Sequence, residues 1–215
     1  MSAAEKEKKP GNKTIEDLMN VPDGIRAELI DGEIVYSYPE QEEWAEGDRD
    51  SEVMMAPTRH KHSLLLGKIQ TIIANYSNER KKSGGSGWVV LPEAWVSYGK
   101  PSAFVHDVAA FEVEAYIKAP ADGPLLIRPV WVCEILSPSN WLRDTQKKRL
   151  VLEEAGVPFY WIVDPAQQSI QVFCLRKKGE HYQVANYVGP ESGTVSLPPF
   201  DGLEIDLRAL FLAAG

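Results

Sequence analysis

Two carboxylates occupy positions where the sequence predicts buried strands. Glu134 interrupts the apolar run of residues 129–136 (PVWVCEIL). Asp107 interrupts the run of residues 103–116 (AFVHDVAAFEVEAY) in the same way. Apolar runs of this length are typical of strands that are covered on both faces. A buried carboxylate costs free energy unless a positive group pairs with it, so we expect a lysine, an arginine or a metal ion beside each one.

The two carboxylates are candidates for a shared metal site. Residues 117–128 leave no room for a helix between the two runs, which predicts that these strands are neighbours and antiparallel. If they are in register, Asp107 and Glu134 reach one Mg²⁺ or Mn²⁺ ion, which binds carboxylates and keeps waters for a phosphate. We expect no basic residue near the carboxylate on either strand, and for the two carboxylates taken as a pair this favours a metal ion. The alternative is that each carboxylate pairs with a nearby base and only stabilises the fold.

A phosphodiesterase site also needs a positive group near the reacting atoms. The position that follows Glu134 on the same face of the strand is Leu136, which carries no charge. The nearest candidates are Lys147 and Lys148, in the helix predicted for residues 141–156. The alternative for Lys148 is a surface ion pair with Asp144, one turn earlier, which would stabilise the protein little.

Two further candidates lie on the elements that must position this site. Residues 27–37 predict a hairpin that turns at Asp31-Gly32 and carries Glu28 on its first arm. Apolar residues at spacings of three and four predict a helix over residues 60–82, with His62 near its start. His62 is either a catalytic or ligating group or only a polar residue at the end of a helix.

The pattern along the whole chain predicts an α/β fold with a mixed β-sheet core flanked by helices. Further strands are expected at residues 88–99 and 159–165, and a hairpin at residues 169–188. Residues 39–57 are acidic and irregular, which predicts a mobile surface loop. We expect a disordered tail over residues 1–13 and a single domain over residues 14–215.

Composition excludes some classes of function. The formal net charge is −8, so the protein does not coat nucleic acid by bulk charge. No apolar stretch is long enough to cross a membrane, and the first residues lack the apolar segment of a secretory signal. Cys133 and Cys174 lie in apolar runs and are expected to be reduced, so we expect a cytoplasmic protein.

The order of these motifs resembles a known family. Asp107 in a strand, the run EILSPS (134–139), Lys148 one turn after Asp144, and the run GVPFYWIVDP (156–165) are similar to the bacterial Uma-two-type family of restriction-endonuclease-like proteins. That family is a domain of unknown function. The resemblance extends from the hairpin with Glu28 to the end of the chain.

The resemblance implies the PD-(D/E)XK nuclease fold and metal-dependent cleavage of phosphodiester bonds, with DNA as the expected partner. It implies that Asp107 and Glu134 bind Mg²⁺ or Mn²⁺ and that Lys148 replaces the lysine of the motif. It also implies site roles for Glu28 and His62. A homodimer is expected by analogy, because cutting two strands is easiest with two sites.

Three residues depart from the family pattern. Leu136 stands where the motif has its lysine, His106 where the family usually has proline, and Leu152 where it usually has tyrosine. These departures leave two hypotheses open. The protein is either a metal-dependent endonuclease, or an inactive nuclease-like scaffold that binds nucleic acid or a protein partner. A hydrolase built on His62 is disfavoured, because the chain has no Gly-x-Ser-x-Gly motif.

Overall fold

A large mixed sheet with helices on both faces forms the fold, as the sequence predicts. The structure is a computed structural model and describes residues 12–21, 27–36, 49–99, 102–137, 143–177 and 179–212. In chain order, its elements are α1 (Ile15–Met19), β1 (Ala27–Ile30), β2 (Glu33–Tyr36), α2 (Arg49–Lys82), β3 (Trp88–Ser97), β4 (Ala103–Glu112), α3 (Val113–Ile117), β5 (Trp131–Ile135), a π-helical turn (Arg143–Lys148), α4 (Arg149–Ala155), β6 (Phe159–Asp164), β7 (Ser169–Cys174), β8 (Gln183–Val188), a 3₁₀ turn (Pro190–Ser192), β9 (Thr194–Val195), β10 (Ile205–Asp206) and α5 (Leu207–Phe211).

Strand β4 is the centre of the sheet, and one of its edges changes partner. The order is β2-β1-β4-β5-β6-β7-β8, and β3 also pairs with β4. The β4 residues Val108 to Ala110 pair with β5, whereas Ala103 pairs with Leu29 of β1. Strands β1 and β5 therefore diverge along the same edge of β4. We call the gap between them, which faces β4 residues 104–107, the fork.

The predicted antiparallel pairing of β4 and β5 is confirmed. The second run ends as a strand at Glu112, and the short helix α3 follows it, which the sequence analysis missed. Strand β5 is buried at all five positions, as its continuous apolar run predicts. It pairs with β6 in parallel, and α4 forms the crossover between these two strands.

Helices cover both faces of the sheet and divide the core in two. On one face, α2 packs through Leu65, Ile69 and Ile73 against the strands. On the other face, Leu152 of α4 packs in a second cluster that includes Val157. The site described below lies between α2 and the segment that leads into α4.

Local sequence explains where the elements around the fork turn. The β1–β2 hairpin turns at Asp31 and Gly32, with φ of 50° and 72°, the left-handed pair that a two-residue hairpin turn requires. Helix α4 ends at Gly156, which is also left-handed, with φ 76°. Both turns agree with the sequence prediction.

The prediction of a loop over residues 39–57 is wrong in its second half. Helix α2 begins at Arg49 rather than near His60, so residues 49–57 are helical. Residues 39–48 lie outside the described residues. Of the predicted tail, residues 12 and 13 are described, and the Lys13 amide donates a hydrogen bond to the Gly32 carbonyl at 2.9 Å.

Two further expectations concern membrane-spanning helices and the two cysteines. No helix in the described part of the chain is both long and apolar enough to cross a membrane. Cys133 and Cys174 are both free thiols, and Cys133 is fully buried. Burial raises the pKa of the Cys133 thiol well above its ordinary value, so this residue behaves as a small core side chain.

Candidate active site at the fork of the sheet

Carboxylates complete the backbone hydrogen bonding at the fork. The Ile135 amide at the end of β5 donates to Asp107 Oδ2 at 2.7 Å. The Val105 amide of β4 donates to Glu28 Oε1 at 3.1 Å. A buried amide without a partner is costly, so an acidic side chain is a stable substitute where the strand ladder stops. The diverging strands therefore bring acidic residues together.

Lys148 supplies the positive charge between two of these acids. Its Nζ lies 2.8 Å from Glu28 Oε1 and 3.2 Å from Glu134 Oε1. The side chain is almost fully buried and ends 5.7 Å from the centre of the Phe104 ring. The alternative of a surface ion pair with Asp144 is therefore wrong, because Lys148 points into the fork.

The backbone that carries Lys148 is unusual. Residues Arg143–Lys148 form a π-helical turn directly before α4. Such turns are rare and are frequently found at functional sites. The turn ends at Lys148, so the irregular segment and the buried lysine coincide.

His106 is a second base beside Glu134. Its Nδ1 lies 2.5 Å from Glu134 Oε1, and its Nε2 lies 2.6 Å from the Tyr98 hydroxyl. Burial, reinforced by the positive charge of Lys148, lowers the pKa of His106 well below its ordinary value. The imidazole is therefore neutral at pH 7. The assumption that neither strand carries a base near its carboxylate is wrong, because His106 belongs to β4.

His62 holds the other carboxylate. Its Nε2 lies 3.1 Å from Asp107 Oδ2, and the two side chains are 18% and 8% exposed. Burial alone raises the pKa of Asp107, but the hydrogen bonds from His62 and from the Ile135 amide outweigh it, and the pKa lies below its ordinary value. Asp107 is therefore an anion at neutral pH. His60, in contrast, is exposed.

The successive residues His106 and Asp107 reach different partners. Neighbouring residues of a strand point to opposite sides. Asp107 contacts His62 on α2, and His106 contacts Tyr98 and Glu134. The fork thus connects groups from both sides of the sheet.

The site suits a hydrated cation better than a cage of protein ligands. Among the described residues, no group of three or more His, Cys, Asp or Glu side chains is arranged to hold a metal ion. Two carboxylates remain: Asp107 and Glu134 are the residues next to Val108 and Cys133, the last pair of the β4–β5 ladder before the fork. Both hydrogen bonds that Asp107 makes within the described chain use Oδ2, which leaves Oδ1 for an ion. Mg²⁺ often takes only one or two carboxylates and keeps several waters, so the residues fit such an ion.

All five residues that the sequence analysis selected lie in this cluster: Glu28, His62, Asp107, Glu134 and Lys148. Two members were missed as site residues. His106 was noted only as a departure from the family, although a histidine inside a buried apolar run also needs a partner. Tyr98 follows the end of β3 and gave no signal in the sequence.

The forked mixed sheet and its buried acid–lysine cluster define a restriction-endonuclease-like α/β protein. The model of the Uma2 family, described as “Putative restriction endonuclease”, matches residues 36–208. The chain belongs to this family.

One solved structure extends the likeness to the fold. It is the crystal structure of a protein from Anabaena variabilis described as “a putative nuclease”. The TM-score is 0.65 at 21% sequence identity, and the match covers 94% of this chain and 99% of that chain. At this identity the likeness shows a shared fold. A comparison with proteins of curated function found no match.

Proposed function

We propose that this protein is a metal-dependent nuclease of the PD-(D/E)XK type that hydrolyses phosphodiester bonds, most readily in DNA. The observation that supports the proposal is the meeting of Asp107, Glu134 and Lys148 at the fork, in a chain that belongs to a restriction-endonuclease family. Two acids and one lysine are the groups that bind a divalent ion and stabilise a charged phosphate.

The residues of the chain divide the work between them. Asp107 and Glu134 would hold Mg²⁺ or Mn²⁺, which when bound supplies an acidified water and a positive charge for the phosphate. Lys148, fixed by Glu28, orients the attacking water and stabilises negative charge on the phosphate oxygens. His62 is the most exposed of the paired site groups and keeps Asp107 in place on the side where substrate arrives. Two copies of the site in a homodimer would allow both strands of a duplex to be cut together.

A non-enzymatic scaffold is the second candidate, and one observation favours it. Each carboxylate already has a base beside it: Asp107 has His62, and Glu134 has His106 and Lys148. Such a network of paired charges can be retained for the fold alone. In that case the protein would bind nucleic acid or a protein partner and cleave nothing.

Plasmid and oligonucleotide cleavage with Mg²⁺ and with Mn²⁺ tests the proposal. We expect the wild-type protein to nick DNA and Glu134→Gln to lose about 100-fold or more of that rate, because the variant loses a charged ligand without a change of shape. Glu79→Gln is the matched control, since Glu79 is exposed on α2 and its carboxylate pairs with Lys82 at 2.6 Å.

The outcomes separate the two candidates. Equal cleavage by the wild type and by Glu134→Gln would contradict the assigned site. An absence of cleavage by the wild type with either metal, together with binding of DNA, would favour the scaffold. Circular dichroism of Glu134→Gln and Glu79→Gln serves as the control that both variants are folded.

A further inference from the structure

We propose that Tyr98 and His106 are positioning residues that fix the carboxylate of Glu134 for metal binding. This inference rests on the proposed function, because it assigns a role within the same site. It concerns His106 in β4 and Tyr98, which directly follows β3. The side chain of His106 is fully buried.

The first observation is a continuous chain of short hydrogen bonds. The Tyr98 hydroxyl lies 2.6 Å from His106 Nε2, and His106 Nδ1 lies 2.5 Å from Glu134 Oε1. Both distances place the paired atoms in direct hydrogen-bond contact. The chain connects three strands of the sheet, because Tyr98 follows β3, His106 is in β4 and Glu134 is in β5.

The second observation is that the chain has one consistent direction. An ionised carboxylate only accepts hydrogen bonds, so His106 Nδ1 carries the proton that faces Glu134. The Tyr98 hydroxyl lies at the other ring nitrogen, Nε2, and an imidazole ring that carries its one proton on Nδ1 accepts a hydrogen bond there. Burial raises the pKa of Tyr98 well above its ordinary value, which keeps this hydroxyl protonated. Tyr98 therefore selects the tautomer that can donate to Glu134.

The third observation is that the ring of His106 has little freedom to rotate. It makes edge-to-face contacts with the rings of Tyr98 and Phe104, at centroid distances of 5.7 Å and 5.9 Å. Aromatic pairs in this geometry are attractive and directional. The donor at Nδ1 is therefore held in one direction.

These features together fix one oxygen of Glu134 from two sides. Glu134 Oε1 accepts a hydrogen bond from His106 on β4. It also lies 3.2 Å from Nζ of Lys148, the last residue before α4. A carboxylate held in this way keeps its rotamer, and groups that hold a metal ligand in its rotamer typically change metal affinity by about 10–100-fold when they are removed.

Calorimetric titration of the full chain with Mn²⁺ tests the inference without cleavage as the readout. We expect Tyr98→Phe and His106→Phe each to weaken Mn²⁺ binding by about 10-fold or more. His106→Asn should restore most of the affinity, because its amide nitrogen takes nearly the place of Nδ1. Tyr187→Phe is the control, since its hydroxyl contacts Gln167 at 3.1 Å on the far edge of the sheet.

A double variant distinguishes positioning from packing. In the His106→Asn background there is no imidazole tautomer to select, so adding Tyr98→Phe should leave Mn²⁺ affinity unchanged. A role in packing alone predicts that Tyr98→Phe lowers the melting temperature in both backgrounds and changes Mn²⁺ affinity in neither.

The possible failures are separable. Mn²⁺ binding by Tyr98→Phe and His106→Phe at wild-type affinity would overturn the positioning role and leave the proposed function intact. Binding by His106→Asn that is as weak as that by His106→Phe would also overturn it. If the wild type did not bind Mn²⁺, and Glu134→Gln gave the same titration curve, the metal site would be overturned. The positioning role would be overturned with it.

Discussion

Lys148 is the residue that balances charge in the fork. Its ammonium lies between Glu28 and Glu134, and its side chain is only 2% exposed. Buried charges are tolerated when they are paired and hydrogen-bonded, whereas removal of one partner leaves an uncompensated charge in the interior. The fold and the proposed chemistry therefore depend on the same side chain.

Replacement of this lysine should destabilise the protein. We expect Lys148→Met to lower the free energy of unfolding by about 3–5 kcal/mol, because two buried carboxylates would face each other without the ammonium. Lys147→Met is the matched control: Lys147 is exposed on the same turn, and its replacement should change stability by less than about 0.5 kcal/mol. Urea denaturation measures both, and equal stabilities for the two variants would contradict the charge balance described here.

Two histidines of α2 offer a second comparison. His62 contacts Asp107, whereas His60 is exposed. If Asp107 binds metal, His62→Ala should lower the cleavage rate by about 10–100-fold, since it removes the group that orients a ligand. His60→Ala should cleave like the wild type. A steady-state cleavage assay decides this, and parallel losses in both variants would argue for a general effect of the helix.

At the scale of elements, local patterns in the sequence predicted the pieces but not the fork. The apolar run around Glu134 predicted a strand buried on both faces, and Asp31-Gly32 predicted a hairpin. The pairing of Leu29 with Ala103 joins residues far apart in the chain, and no periodicity encodes it. Lys148 was selected through the family resemblance, whereas the π-helical turn that directs it into the fork has no pattern of its own.

Helix α4 is connected to the β7–β8 hairpin by one carboxylate. The Tyr182 amide donates to Glu153 Oε2 at 2.6 Å, and His181 Nδ1 lies 2.6 Å from Glu153 Oε1. Burial raises the pKa of Glu153, but these hydrogen bonds outweigh it and hold the pKa below the ordinary value of 4.5. The connection is therefore strongest while Glu153 is ionised.

This connection should give a measurable dependence of stability on pH. A carboxyl group whose pKa is lower in the folded state stabilises the protein above its ordinary pKa of 4.5, and this stabilisation is lost as the pH falls through the lowered value. We expect Glu153→Gln to be less stable than the wild type at pH 7, by about 1–3 kcal/mol, and the difference to shrink at pH 3. Urea denaturation at both pH values measures it, with the exposed neighbour variant Glu154→Gln as control. A difference that is the same at both pH values would contradict the role of the ionised carboxylate.

At the scale of the whole molecule, charge sets the conditions for binding nucleic acid. The chain carries a formal charge of −8, and the fork itself places Glu28, Asp107 and Glu134 around a single lysine. A phosphate backbone that approaches this site meets a net negative potential unless a divalent ion is present. Composition alone predicted that the protein as a whole does not attract nucleic acid. The excess of carboxylates at the fork depends on the pairing of the strands, which composition does not give.

Binding of DNA should therefore require a divalent ion even when no cleavage occurs. We expect fluorescence anisotropy to show weak binding of a labelled duplex in EDTA and tighter binding with Ca²⁺, which has the same preference for oxygen ligands. Glu134→Gln removes one of the repelling carboxylates, so in EDTA it should bind the duplex more tightly than the wild type, and Ca²⁺ should help it less. Glu79→Gln removes the same charge from the surface of α2 and separates the local effect from the change in net charge. If both variants bound equally well in EDTA, the repulsion would belong to the molecule as a whole, and the fork would have no special part in it.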